Sequence, residues 1–194
     1  MRELWYGDDR DILKWSEVVR VARRAGVQRI VYVPFLAPPH EEPLGERIVP
    51  EVWGHFRSIK NLKRLGPKVG LRLDVIAIEF DSNQRQAYIL GICGLLRRQA
   101  MARRLVLLDP DTGIEPKKAN EKHAKLSEIR DIWASLRFGD WLAIYQHARR
   151  DRSWQEDVKD ELEEALGVTV ESVYNREVAH DAALFFVEKP RPAA

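Results

Sequence analysis

Arg104-Leu105-Val106-Leu107-Leu108, followed at once by Asp109-Pro110, is the stretch on which the fold turns. Four apolar residues in succession do not alternate between a wet face and a dry one. Such a run suits the centre of a parallel sheet covered on both sides. Pro110 restricts the backbone just past Asp109. Working outward, residues 29–33 (Arg-Ile-Val-Tyr-Val), 71–79 and 141–145 read as further strands, rich in β-branched and aromatic side chains.

Helical spacing of apolar residues marks the segments between them. It predicts helices over 8–25, ended by Gly26, and over 51–65, 83–102, 125–136 and 154–166, the last closed by Gly167. Ser127 is a candidate cap for the fourth of these. Strand and helix alternate, which argues for an α/β domain with a mostly parallel sheet. Residues 168–174 and 182–187 are two last strands joined by a short polar link. They stand too close for a helical crossover and should pair antiparallel. The expected fold is a three-layer, Rossmann-like sheet with a C-terminal antiparallel pair. It forms a single domain over 1–190, with a proline-rich loop at 34–50 and a tail at 191–194.

Composition narrows the function. The chain has 194 residues, 45% hydrophobic and 32% charged, an ordinary globular mixture that can bury a core. Its 32 basic and 30 acidic residues give a net charge of +2, so charge alone does not announce a polyanionic partner. Cys93 is the single cysteine, which excludes an internal disulfide and a cysteine-based zinc site. Met1-Arg2-Glu3-Leu4-Trp5 lacks the apolar core of a signal peptide. No apolar run reaches about 18 residues, the length that spans a membrane. The expectation is a cytoplasmic protein with no membrane association.

In open α/β sheets, ligands bind beyond the carboxyl ends of the strands. Two segments there carry chemistry. Asp109-Pro110-Asp111-Thr112-Gly113-Ile114-Glu115 follows the central strand. Its carboxylates Asp109, Asp111 and Glu115 could converge on magnesium or manganese, or orient a proton or an amine. Gly113 permits a tight turn. Tyr145-Gln146-His147-Ala148-Arg149-Arg150 follows the next strand. His147 is a candidate general base, and Arg149 and Arg150 are candidate phosphate ligands. A third segment opens the first helix: Gly7-Asp8-Asp9-Arg10-Asp11-Ile12-Leu13-Lys14-Trp15. Its acids suit a helix N-terminus. Lys14 could reach a carboxylate or phosphate, and Trp15 could stack on a base.

That third segment resembles the N-terminal Gly-Asn-X-X-Asp-Val-Leu-Lys-His block of the bacterial large-subunit ribosomal RNA adenine methyltransferases. Leu107-Leu108-Asp109-Pro110 resembles the start of their Asp-Pro-Pro-Tyr motif. The chain is also similar to bacterial proteins of unassigned function that carry Gly-Asp-X-X-Asp, Asp-Pro-Asp-X-Gly-X-Glu and Tyr-Gln-His-X-X-Arg blocks. The methyltransferase resemblance implies a class I fold, S-adenosylmethionine as cofactor and nucleic acid as substrate. It implies that the segment holding Gly7, Asp11 and Lys14 helps form the cofactor site and that Asp109 accepts from the target amine. By their own chemistry, Trp15, Arg149 and Arg150 are candidate substrate ligands, and Asp111 and His147 are candidate catalytic groups. The chain departs from the family in two places. Val33-Pro34-Phe35-Leu36 stands where a glycine-rich turn belongs, and Asp111 and Thr112 replace the second proline and the tyrosine. Two other readings stay open: a metal-dependent nuclease or phosphoesterase using Asp109, Asp111 and Glu115, and a non-catalytic nucleotide- or nucleic-acid-binding module.

Overall fold

The computed structural model describes residues 9–36, 62, 64–98, 102–116 and 120–191. The loop expected at 34–50 and the helix expected at 51–65 fall almost wholly outside them, as do Gly7 and most of the tail. Six strands form the main sheet: β1 (Arg29–Pro34), β2 (Arg72–Val75), β3 (Arg104–Asp109), β6 (Trp141–His147), β7 (Glu171–Tyr174) and β8 (Ala182–Glu188). Two two-residue strands, β4 (Gly113–Ile114) and β5 (His123–Ala124), pair with each other above its edge.

The sheet order is β2-β1-β3-β6-β8-β7. β2, β1, β3 and β6 run parallel, and β8 runs antiparallel to both β6 and β7. The expected α/β architecture with its C-terminal antiparallel pair is therefore present. β3 is buried along its whole length, as its unbroken apolar run demands. The chain leaves β1 for the outer β2 and returns across β1 to β3. This reversal opens a topological switch point between the carboxyl ends of β1 and β3.

Helices cover both faces. α1 (Asp9–Arg24) lies on one, packed through Leu13, Val18 and Ala22 against Ile30, Leu105, Leu107 and Leu184. The short α2 (Leu65–Val69) adjoins β2 on that side, its Leu65 and Val69 packed against the same cluster. α3 (Arg85–Arg98), α4 (Leu126–Ser135) and α5 (Trp154–Leu166) cover the other face, over Val31, Val33, Val106, Leu108, Ile144 and Phe185.

Three boundaries differ from the sequence reading, each for a physical reason. β2 is shorter than 71–79 because, among the described residues, it pairs with β1 alone, although Leu36 and Glu79 bridge again further on. β7 starts at Glu171 because the Val170 N–H donates 2.9 Å to the Glu163 side chain instead of to the ladder. Ser127 does not cap α4. The cap is Lys125, whose N–H donates 2.9 Å to the Glu128 carboxylate one turn in. No helix among the described residues is long and apolar enough to cross a membrane.

Candidate active site at the carboxyl edge of the sheet

Strand side chains alternate between faces, so Tyr32 of β1, Asp109 of β3 and Tyr145 and His147 of β6 share the face covered by α1. Register brings them level. Pro34 pairs with Asp109, and Leu108 pairs with Ile144, which sets Asp109 beside Tyr145. The first turns of α1 then lay Asp11 and Lys14 on the same spot.

The centre is a buried ion pair. Lys14 Nζ lies 2.7 Å from Asp109 Oδ2 and 2.6 Å from Asp11 Oδ1. Lys14 and Asp109 are each only 2% exposed. The Tyr32 hydroxyl donates to the same Asp109 Oδ2. Lys14 Nζ also stands 4.8 Å from the Tyr145 ring centroid, a favourable cation–π distance. Burial opposes the charge of Lys14, but the Asp109 and Asp11 carboxylates outweigh it and lift its pKa above the ordinary lysine value. Lys14 therefore carries its charge at neutral pH. Both donors fall on Oδ2 of Asp109, while no described residue donates to Oδ1.

His147 completes the rim. It meets the Tyr145 ring edge to face, with centroids 5.0 Å apart. Burial first, and then the Arg10 guanidinium, hold its pKa below the usual histidine value, against the opposing pull of Asp109 and Asp181. At neutral pH the imidazole is uncharged and able to accept a proton. Arg10 is held by Asp181, with Nε 3.0 Å from Oδ1, which ties α1 to the start of β8.

The loop after β3 is clamped from β6. The Gln146 side chain is 1% exposed. Its Oε1 accepts from the Ile114 N–H at 2.6 Å, and its Nε2 donates 2.6 Å to the His147 carbonyl. Gly113 has φ +102°, and a Cβ there would stand 2.4 Å from the Gln146 amide. Glycine is therefore required twice over, by conformation and by space. Gly113→Ala should cost ~2–5 kcal/mol from backbone strain and overpacking together. Gly26→Ala, at φ +64° with open space around it, should cost only ~1–2 kcal/mol. Chemical denaturation of the two variants checks the difference.

The structure brings Lys14, Asp11, Asp109 and His147 together and gives Asp111, Glu115 and Arg149 other partners, while Gly7 lies outside the described residues. Asp111 lies on the outer side of the loop, 3.9 Å from Lys122 Nζ. Glu115 Oε1 accepts 2.8 Å from the Leu126 N–H at the start of α4. The three carboxylates thus serve three different purposes. Among the described residues, no group of three or more His, Cys, Asp or Glu side chains could hold a metal ion. The expected magnesium or manganese set does not assemble.

Arg149 is also corrected. Its Nη1 and Nη2 lie 2.8 and 2.7 Å from the Glu161 carboxylate, and Nη2 faces the Glu115 carbonyl at 3.3 Å, so it braces the loop. Arg150 is exposed on the surface. Trp15 is 7% exposed and stands edge-on to Tyr32, with centroids 5.2 Å apart, so it offers no open face for a base.

Sequence reasoning missed Tyr32, Tyr145, Arg10 and Asp181. A polar-tipped Tyr32 within the run Ile30-Val31-Tyr32-Val33 was a usable signal, since a buried phenol seeks a partner. Nothing local marks Asp181 as the partner of a residue 171 positions away.

No family model matches the chain, and no curated protein matches it. Among solved structures, it is similar to a "putative methyltransferase" from Thermobifida fusca YX. That match has 13% identity, covers 94% of this chain and 82% of the other, and has a TM-score of 0.44. It is also similar to a DUF574 family protein from Streptomyces avermitilis MA-4680, at 12% identity over 94% of this chain and 83% of the other, with a TM-score of 0.44. Similarity at this level carries no functional inference.

Proposed function

We propose that the chain is a divergent S-adenosylmethionine-dependent methyltransferase that modifies an amine of nucleic acid. The observation that carries this reading is a nearly buried Asp109 at the switch point of the sheet, whose Oδ2 takes both Lys14 and Tyr32 and whose Oδ1 receives no donor among the described residues. The sheet order and the two sequence resemblances support it.

The donor set suits a sulfonium nucleoside on the α1 side. Asp11 and Asp109 flank the Lys14 ammonium, and the Tyr145 ring stands beside them. On the β1 side the cradle differs from the family pattern. Phe35 is buried, with its ring 5.1 Å from Phe80 and 5.4 Å from Tyr88. The Phe35 N–H donates 3.1 Å to the Asp109 carbonyl. Asp11 and the Asp109 edge would therefore hold the cofactor, in place of the turn after β1. When bound, it supplies an electrophilic methyl group.

The chain's own residues do the rest. Asp109 Oδ1 accepts an N–H of the target amine and aims its lone pair. Lys14 and Tyr32 keep that oxygen from turning. His147, uncharged at neutral pH, receives the proton that the amine must lose.

Isothermal calorimetry with S-adenosylmethionine, followed by transfer of a labelled methyl group to RNA and DNA, tests the reading. Binding and transfer are expected in the native chain. His147→Gln should retain binding and lose roughly 10²–10⁴-fold in transfer rate, the range for a general base. No heat at high protein concentration would overturn the cofactor assignment. Binding of nucleic acid with no transfer would identify a binding module instead.

A further inference from the structure

Two ion pairs run from α1 to the sheet near His147. The inner one, Lys14–Asp109, is nearly dry. The outer one joins Arg10, one turn earlier on α1, to Asp181 just ahead of β8. Arg10 grips both carboxylate oxygens: its Nε lies 3.0 Å from Oδ1 and 3.2 Å from Oδ2, and its Nη2 reaches Oδ2 as well. Backbone contacts fix Asp181 at the end of β6. Its carbonyl accepts 2.8 Å from the Ala148 N–H, and the next residue, Ala182, is the register partner of His147. The two side chains are 40% and 30% exposed. Ion pairs in contact with water add little to stability, so the fold gains little from this one.

Among the described residues, four charges act on the imidazole: Arg10 and Lys14 from α1, Asp109 from β3 and Asp181 from the start of β8. After burial, the Arg10 guanidinium acts most strongly. The hydrogen bond from Arg10 also holds the Asp181 carboxyl below the usual aspartate value, with the neighbouring His180 and His147 acting in the same direction. The pair therefore stays charged across the range in which His147 titrates.

We propose that Arg10 is a positioning residue for His147: the Asp181 carboxylate holds its guanidinium at the end of β6, where the cation keeps the imidazole in the neutral form that takes up a proton. Asp181 has two parts in this. It fixes the cation in place, and its own charge offsets a share of the effect. This inference rests on the proposed role of His147 as proton acceptor.

Nitrogen-15 NMR of the imidazoles through an acid titration of the full chain tests it, with the His147 signal assigned by its loss in His147→Gln. Arg10→Met removes the cation and leaves Asp181, so the proton affinity of His147 should rise about three- to tenfold. Asp181→Asn keeps an oxygen that accepts from Arg10 and removes the opposing charge, so the affinity should fall. Arg10→Lys, which keeps the charge without the two-pronged grip, should lie between the native chain and Arg10→Met. Both Arg10→Met and Asp181→Asn break the same ion pair, so a merely structural role would move His147 in one direction in both, or in neither. Either of those results overturns the inference. Methyl transfer by the same chains reads the parent proposal separately. The acid limb of its pH profile should move up in Arg10→Met and down in Asp181→Asn, in step with the NMR values. Opposite NMR shifts with a pH profile that ignores them would keep the hold of Arg10 on His147 and overturn the role of His147 as base.

Discussion

Lys14→Met will lower the stability of the fold by ~3–5 kcal/mol, the cost of breaking a buried ion pair from one side. The substitution keeps most of the volume and removes the charge. Asp109 is then left in a nearly dry site with the Tyr32 hydroxyl, and Asp109 and Asp11 have both lost the Lys14 ammonium. For a chain of this size the change corresponds to a fall of roughly 6–20 °C in melting temperature. The pair rather than the lysine alone sets the effect, so a second change should repair part of it. Lys14→Met combined with Asp109→Asn should be more stable than Lys14→Met by itself, because the buried Asp109 charge that lost its cation has gone. Guanidinium denaturation of the four chains in that cycle measures the coupling directly. Independent, additive costs would show that the two side chains do not depend on each other.

The second large effect lies at the opposite end of the same strand. Arg104 and Asp140 are each 1% exposed. Asp140 Oδ2 accepts from Arg104 Nε and from the Arg137 N–H, both at 3.1 Å, and Oδ1 accepts from the Arg104 N–H at 3.2 Å. One carboxylate thus ties the start of β3 to the turn before β6. Asp140→Ala leaves a guanidinium buried with its principal charge partner gone and frees two backbone donors. It should cost ~3–5 kcal/mol. Asp140→Asn, which still accepts from the backbone, should cost less. Neither change touches the candidate site, so at a temperature where the variants remain folded, ligand binding should match the native chain. Thermal melts together with binding isotherms check both halves of this expectation.

The fold was largely legible because its strands are long-range but locally loud. The Arg104–Leu108 run is too apolar for anything but a doubly covered strand, and β3 is buried throughout. The two C-terminal strands are too close for a crossover, and they pair antiparallel. The site was legible only in part. Asp109 and Lys14 were visible as chemically capable residues at a strand end and a helix start. Their meeting depends on how α1 lies across β1 and β3, which no local pattern states. The loop after β3 misled for the opposite reason. Three closely spaced carboxylates look like a ligand set, yet Gln146 holds the backbone at Ile114, and Glu115 turns to the N-terminus of α4. Trp15 misled because an aromatic residue beside a lysine suggests stacking, whereas the depth at which α1 packs buries its face.

The central claim is that Lys14 is a buried, charged anchor whose partner is Asp109. Nitrogen-15 NMR of the Lys14 ammonium, followed through an alkaline titration, tests it most directly. The pKa of Lys14 in the fold is raised, so the ammonium should persist after the surface lysines have lost their protons. The stability it lends should disappear only as the pH rises through that higher value. In Asp109→Asn the resonance should titrate earlier. A Lys14 signal that titrates together with the surface lysines, and that is indifferent to Asp109→Asn, would contradict the account.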